Sequence, residues 1–417
     1  MKIAVIGAGI VGVTTAHALA CDGHEVCVFE RRSAAAEESS FANAGVVAPG
    51  YVTPWAAPGM PMKVLSQLFG RHAPVKLGAN LSLTELAWIW RWYRACNPAT
   101  YIANRSAMQR LAFYSRTQLH KITADLQLEY DRSDGYMVLL RSQGERRMVS
   151  TGLQVLRDAG VAFAELDSAA ARKIEPALNP DTPFLGAIHL PHDEVGNCRQ
   201  FALLLKNEAL RKGVAFAFNT TVAHLDKTAA ASLLIAGETA PRKFDAVVMC
   251  AGLASAQLLK PLGLKIPLSA VYGYSISAPV REALNAPRSA VMDERYKVAI
   301  SRLGNRVRVA GSAEMGGAPG RHRAASIETL YKVLHDWFPG AATQSSGVQI
   351  WKGARPMLPD GPPILGASGV PGLWLNVGHG SSGWALSCGS AQALADLIGG
   401  KQPALDLAGF ELARLSR

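Results

Sequence analysis

Metal and disulfide chemistry are what this chain is poorest in. Its six cysteines (Cys21, Cys27, Cys96, Cys198, Cys250 and Cys388) are scattered, and no two form a Cys-x-x-Cys pair. That spacing excludes zinc-ribbon and thioredoxin-type motifs and fits reduced, buried thiols in a cytosolic compartment. No Ser–His–acid or metal-ligand pattern, internal repeat or low-complexity linker is present. Charge is sparse at 18%, and acids are the scarcer sign, 32 against 43 Lys and Arg, for a net charge of +11. With 49% hydrophobic residues this describes a globular protein with a large core, not a disordered one. A basic excess could serve a nucleic-acid binder. The bases, however, come in ones and twos, as at Arg31-Arg32, Arg146-Arg147 and Arg321-His322-Arg323, with no basic run interleaved with aromatics. A solvated basic surface, or attraction to an anionic membrane leaflet, remains, and no nucleic-acid partner is expected. Long apolar runs are missing as well, apart from residues 3–20; a spanning helix needs about 20.

That exception is the most informative stretch. Lys2–Ile6 reads as a short buried strand, apolar and β-branched. Gly7, Gly9 and Gly12 follow at G-x-G-x-x-G spacing, then an apolar helix over residues 13–20, ended by Gly23. A second buried strand, Glu25–Phe29, closes at Glu30. In this pattern the first glycine allows the tight turn and the second lets backbone approach a diphosphate. The third lets the helix pack close to the strand. The helix N-terminus, at Ile10 and Val11, presents unpaired N–H groups to the phosphates. Glu30, 18 residues beyond Gly12, is placed to accept a hydrogen bond from a ribose hydroxyl, with Arg31 beside it. A secretory signal would end in a small-residue cleavage site. Here Cys21-Asp22-Gly23-His24 leads straight into another strand, so the expectation is a mature, non-spanning N-terminus that binds a dinucleotide.

At 417 residues the chain has room for two domains, or one with an inserted lobe. A Pro/Gly-rich segment, residues 48–61, interrupts the first α/β unit. Helices are expected over residues 83–93 and 108–126. The first carries Trp88, Trp90 and Trp92, which one helical face cannot bury together; they would seat in the core, against a second domain or at a bilayer interface. A strand from residue 135, helix 145–159, strand 161–165, helix 168–175, helix 199–212 and strand 214–219 continue the α/β pattern. Strand 245–250 runs into Ala251-Gly252 and a helix. Between residues 268 and 313 consecutive strands imply a mostly antiparallel sheet, and the chain ends on strand Leu373–Val377, a glycine turn and helix 384–398. The expected fold is an α/β nucleotide domain interrupted by a β-rich lobe.

Three segments favour a flavin over NAD. Residues 244–252 form a buried strand ending in a small-Gly turn, suited to close passage beside an adenosine. Residues 376–384, with Gly378, His379, Gly380, Ser381, Ser382, Gly383 and Trp384, form a glycine-dense strand-to-helix turn. Its helix N-terminus could face the N1/O2 edge of a reduced isoalloxazine, a need a nicotinamide does not have. Between them, residues 351–366 carry Gly353 and Arg355 on glycine- and proline-constrained backbone.

These motifs carry a resemblance. Ser40-Phe41-Ala42-Asn43-Ala44-Gly45, Pro49-Gly50-Tyr51, Pro54-Trp55-Ala56-Ala57-Pro58-Gly59 and Arg71-His72-Ala73-Pro74 are followed by Leu190-Pro191 and Asp193-Glu194. Then come Gly273-Tyr274-Ser275, Asp293-Glu294 with Tyr296-Lys297, Arg355-Pro356-Met357, Pro359-Asp360-Gly361 and Gly378-His379-Gly380 with Gly383-Trp384. Over almost its whole length the chain resembles the bacterial FAD-dependent D-amino acid dehydrogenases, of the wider D-amino acid oxidase and glycine oxidase superfamily.

The resemblance implies a glutathione-reductase-type, Rossmann-like FAD domain (residues 1–84, 147–176, 197–262 and 347–417) interrupted by a mostly antiparallel substrate domain (residues 85–146, 177–196 and 263–346). It implies non-covalent FAD, with Ser40, Asn43, Ala44, Gly45, Val222, Ala251, Gly252 and Gly353 joining the two glycine turns in holding it. The implied reaction oxidises a D-amino acid to an imino acid, which hydrolyses to a 2-oxo acid and ammonia; electrons pass to a quinone or respiratory carrier. Arg355 would grip the substrate carboxylate in a bidentate fork. Tyr274, with Tyr272 on the same strand face, would complete the carboxylate or amino-group contacts, and no general base beyond solvent is demanded. Tyr272 stands where the family tends to carry lysine, which keeps a D-proline, hydroxyproline or other secondary-amine dehydrogenase or oxidase open. A flavin-binding sensor or assembly factor without turnover is the alternative of another class. The implied location is cytoplasmic, peripheral to the inner membrane.

Overall fold

The computed structural model describes residues 1–67, 70–78, 81–158, 160–226 and 231–416. Strand Lys2–Ile6 is buried from Ile3 onward, as a strand covered on both faces must be. It pairs in parallel with Glu25–Phe29 on one side and Ala246–Met249 on the other. The six-stranded sheet runs Ile364–Ala367, Leu373–Val377, Ala246–Met249, Lys2–Ile6, Glu25–Phe29, Ala215–Ala217, and only Ile364–Ala367 is antiparallel. Alternate residues feed two cores. Ile3, Val5, Val26 and Val28 pack under helices Ile10–Cys21, Pro98–Leu126, Cys198–Arg211 and Gly383–Ile398. Ala4, Ile6, Val247 and Met249 pack under a three-stranded antiparallel sheet, Val222–Leu225, Ser232–Ile235 and Arg242–Lys243.

The second sheet runs Gln349–Met357, Ser269–Pro279, Arg306–Met315, Val298–Leu303, Ala290–Asp293, Ser133–Leu140, Gly186–Val195, Val46–Val47, and is mostly antiparallel. Val75–Leu77 and Ala164–Asp167 pair onto it. One face buries helix Ala324–Trp337 through Ile276, Ile300, Val309, Leu330 and Trp337. The opposite face looks into a cleft shared with the first sheet.

The expected α/β class with its antiparallel lobe is the observed one. Differences are local. The helix expected from residue 108 begins ten residues earlier, at Pro98, where Asn97 caps it by accepting from the Thr100 N–H (3.0 Å). Residues 351–366, expected as glycine- and proline-constrained backbone, begin within a nine-residue edge strand, Gln349–Met357. Helix Ala324–Trp337 was not expected. The helix expected over 145–159 spans Gln143–Asp158, and residue 159 lies outside the described residues. Sheet membership cuts across the expected domain boundaries: residues 46–47, 75–77, 164–167 and 349–357, assigned to the FAD domain, pair in the second sheet. Short segments of this kind join whichever sheet offers them an unpaired edge, which local sequence does not encode.

Candidate active site

The three fingerprint glycines do different things. Gly7 has φ 102°, and a Cβ there would lie 2.7 Å from the Cys250 carbonyl oxygen. A Cβ on Gly12 would lie 1.9 Å from the Gly7 carbonyl oxygen, so the helix rests directly on the turn. Above Gly9 a Cβ would meet only Ser40 Oγ, at 3.6 Å. Gly9 opens instead onto a cavity of about 1390 Å³. Helix Ile10–Cys21 has no side-chain cap on Gly9 and no acid in its first turn; the Ile10 N–H donates to Ser40 Oγ (3.0 Å). Open space over an uncapped helix start fits the diphosphate of a dinucleotide. Glu30 accepts from the N–H groups of Ala8 (2.7 Å) and Arg32 (2.9 Å), which pins its carboxylate beside that turn with lone pairs left for a ribose. Arg31 turns to Glu38 (2.5 Å). Val11, Val222, Ala251 and Gly252 line the same end of the cavity.

Residues 40–45 are stitched between the two sheets. The carbonyls of Ala42, Asn43 and Ala44 accept from Ser275 Oγ (2.8 Å), Arg308 (3.2 Å) and Ser301 Oγ (2.6 Å) of the second sheet. Asn43 Oδ1 accepts from the Gly45 N–H (3.0 Å), and the Trp384 indole N–H donates to the Gly45 carbonyl (3.1 Å). Trp384 therefore clamps this loop from the start of helix Gly383–Ile398. Gly378 (φ 82°) and Gly380 (φ 55°) carry the chain into that helix through Ser381 and Ser382, again with no side-chain cap and no acid in the first turn. Residues 380–385 line the cavity too, where the first N–H groups of a helix have no intrahelical partner. His379 is buried with Nε2 against Ser390 Oγ (3.0 Å), and burial pushes its pKa down to about 3. It is a neutral part of the turn. Gly12, Gly45 and Tyr272 stand off the cavity wall, and Gly353 lies under the Trp351 indole.

Arg355 enters the cavity from the edge strand. Its register pairs it with Val271, and Gly353 with Gly273, so these four share one sheet face. The guanidinium lies across Gly273, where a Cβ would fall 2.3 Å from Nη2. Beyond it, Nη1 donates to the Ser312 carbonyl (2.9 Å), and the Trp55 ring lies 5.6 Å away. No described carboxylate is hydrogen-bonded to this cation, and desolvation pushes its pKa down to about 10. Ser312 has φ 62° at the bulge where Ser269–Pro279 shifts register against Arg306–Met315. The structure does not bring the two tyrosines to Arg355. Tyr272 and Tyr274 pair with Ala354 and Lys352 and so point to the other face. There the Tyr274 hydroxyl donates to Glu314 (2.5 Å), with Lys352 over both rings. Recognising residues 349–357 as a strand would have revealed this, since alternation separates Arg355 from both tyrosines. Ser312, Trp55 and the group formed by Tyr51, Glu294 and Lys297 also line the cavity and went unassigned in the sequence.

A cavity of about 1390 Å³ exceeds the roughly 300–1,000 Å³ usual for one small ligand, leaving room for a dinucleotide and a substrate. The comparisons agree. D-amino acid dehydrogenases of Rhizobium johnstonii and Bradyrhizobium diazoefficiens are 43% and 40% identical over 418 and 416 residues. They cover 99% of this chain, and 100% and 99% of their own lengths. The fold is similar to that of glycine oxidase from Geobacillus kaustophilus (TM-score 0.77, 21% identity, 99% of both chains). It is also similar to L-proline dehydrogenase from P. horikoshii (TM-score 0.74, 17% identity, 100% of this chain and 98% of the other). The family described as FAD dependent oxidoreductase, DAO, matches residues 2–397. That match takes in both sheets and the cleft between them, and the chain belongs to the DAO family of FAD dependent oxidoreductases.

Proposed function

We propose that this protein is a D-amino acid dehydrogenase that passes its electrons to a quinone or another respiratory carrier. The names of its relatives support the substrate class. The observation that carries the reading is Arg355: a cation in the cavity, with no carboxylate of its own and its guanidinium free to make a fork. FAD, when bound, supplies the hydride acceptor at N5. The chain supplies position and field. Arg355 holds the carboxylate, and Gly273 leaves room for its guanidinium. The open start of helix Gly383–Ile398 favours negative charge on a neighbouring ring. A guanidinium beside the flavin cleft with no hydrogen-bonded carboxylate among the described residues argues against a sensor without turnover.

Anaerobic mixing with a panel of D- and L-amino acids, D-proline included, tests the reading. Bleaching of the flavin bands by primary D-amino acids is expected, with reoxidation faster by quinone than by air. Arg355→Ala is expected to keep FAD but lose about 2–5 kcal/mol of transition-state stabilisation, or roughly 30- to several-thousand-fold in kcat/KM. Arg355→Lys should recover only part, because a point charge does not reproduce the fork. Full activity in Arg355→Ala would remove the clamp.

Among the described residues no helix is long and apolar enough to cross a membrane. We infer peripheral contact through helices Met60–Gln67 and Leu83–Ala95. Trp88 is buried and donates to the Met357 carbonyl (3.1 Å), but Trp90 is 60% and Leu83 85% exposed, and Met62, Leu65 and Tyr93 are exposed as well. Arg91 and Arg94 supply charge for anionic headgroups. Binding to anionic vesicles at low salt, released by high salt and weakened in Trp90→Ser, is expected; no binding at low salt would end this part of the proposal.

A further inference from the structure

An amino acid is oxidised as its free amine, because the nitrogen lone pair becomes the new C=N bond while hydride leaves Cα. At neutral pH the substrate arrives as an ammonium, so one proton must go somewhere. The floor of the substrate cavity is nearly bare: Ala310, Ala299 and Met292, opposed in register on three neighbouring strands. At one edge stands Arg355, reaching across Gly273 to Ser312. At the other edge Tyr51 donates to Glu294 (2.5 Å), while Lys297 donates to the Tyr51 oxygen (3.1 Å) and pairs with Glu294. The Lys297 carbonyl oxygen lies 2.9 Å from the Cβ position of Gly311, the residue before Ser312. The guanidinium and this trio are thus one to two strands apart, at about 4.8 Å per strand. An α-carbon with its carboxylate on one side and its nitrogen on the other spans that gap.

We propose that Tyr51 accepts the substrate's ammonium proton while handing its own phenolic proton to Glu294, which Lys297 holds in place. The inference rests on the D-amino acid reading and on Arg355 as carboxylate clamp. In the step, an N–H bond of the ammonium breaks and an O–H bond forms at Tyr51. The phenolic O–H breaks and an O–H forms on the Glu294 carboxylate. The freed nitrogen lone pair becomes the C=N bond as the Cα–H electron pair leaves as hydride to FAD, giving the iminium.

Tyr51 donates once and accepts once, so one lone pair remains for the ammonium. Burial, and then Glu294, raise its pKa well above the ordinary phenol range, so it works as a neutral relay and not as a tyrosinate. The surroundings are cationic. Arg105, 6% exposed, donates to Tyr101 Oη (2.7 Å) and the Gly152 carbonyl (3.3 Å), and its Nε has no partner among the described residues. Lys63 faces Lys297 and Glu294, with Glu145 beyond it. The remaining groups facing the trio are Tyr101 and Tyr136, the latter with Asp193 behind it. Set against Arg355, Lys297, Lys63 and Arg105, Glu294 is the one acid of the trio, and a field of that sign favours the amine over the ammonium.

The test uses holoenzyme, with kcat/KM for D-alanine measured across pH and the Kd of propionate, an amine-free carboxylate, read from the flavin spectrum. Tyr51→Phe is expected to lower kcat/KM about 10- to 100-fold at pH 7 and to recover at high pH, where the amine arrives deprotonated. Its acidic limb moves up by about one to two pH units, with propionate affinity and flavin content unchanged. Glu294→Gln should behave alike, and decides the matter if Tyr51→Phe does not hold FAD. Parallel pH profiles, a loss without recovery at high pH, or propionate binding weakened in step with rate would overturn the relay. Wild-type enzyme that no D-amino acid reduces would instead remove the reading beneath it, before any variant is made.

Discussion

At residue scale the proposed clamp depends on what is missing from its neighbour. Gly273 has ordinary strand backbone, so alanine there is conformationally free. Yet its Cβ would sit 2.3 Å from Arg355 Nη2, tighter than side chains tolerate. Gly273→Ala should therefore displace the guanidinium while the sheet stays folded. The expected result is a rise in KM and a fall in kcat/KM of roughly 10- to 100-fold, about 1.4–3 kcal/mol. Flavin content and Tm should stay near wild type. Unchanged KM would mean that the arginine reaches substrate by another route. Ser312 shows the complementary device. A serine held at φ 62° costs of order 1 kcal/mol or more, and here the bulge turns its carbonyl onto Nη1.

At element scale the two helix starts have the same design, an uncapped N-terminus behind a glycine turn, and they predict opposite outcomes for alanine at two fingerprint positions. Gly9→Ala meets only Ser40 Oγ at 3.6 Å, so the apoprotein should fold with near-normal Tm but lose FAD, its methyl occupying the diphosphate's space. Gly12→Ala drives a methyl to 1.9 Å from the Gly7 carbonyl oxygen and should prevent soluble expression. Melting curves with and without added FAD separate the two; equal behaviour would contradict the division of labour. These starts were legible because each of their features is local: strand, glycine spacing, helix, acid. So was the place of Arg355 on the cavity wall, marked by its own motif. What stayed hidden depended on pairing. Tyr274 beside Gly273 reads as a candidate contact until the edge strand supplies a register, and then its hydroxyl belongs to Glu314. Helix Ala324–Trp337 lacks a side-chain cap, since Arg323 at its start caps nothing, and so gave no start signal.

For the whole molecule, mild acidification should cost stability. Burial pushes the pKa values of His17 and His379 down from 6.5 to about 4 and about 3. Unfolded chains protonate these rings below about pH 6.5 and the folded protein does not. Their contribution is thus whole above pH 6.5 and lost as pH falls toward 4 and 3. Asp193, pushed up to about 7 by burial, works the other way, losing stability as pH rises from 3.8. Among these three groups, two protons against one leave a net loss of about 1.4 kcal/mol per pH unit of acidification between roughly pH 6 and 5. Urea midpoints should fall across that interval, and less steeply in His17→Gln; an equal slope would show that other groups govern it. The order of strands carries a different consequence, one of timing. Lys2–Ile6 is made before every other strand of its sheet, yet it is central there, and its partner Ala246–Met249 is made some 240 residues later. At about 5–20 residues per second the fingerprint strand waits roughly 10–50 s for that neighbour. The helix that completes the cleft, Gly383–Ile398, comes later than every strand of both sheets. FAD can therefore be captured only once residues 383–398 have been made, and a transcript cut short before residue 383 should yield colourless, protease-sensitive protein however intact its first 30 residues are.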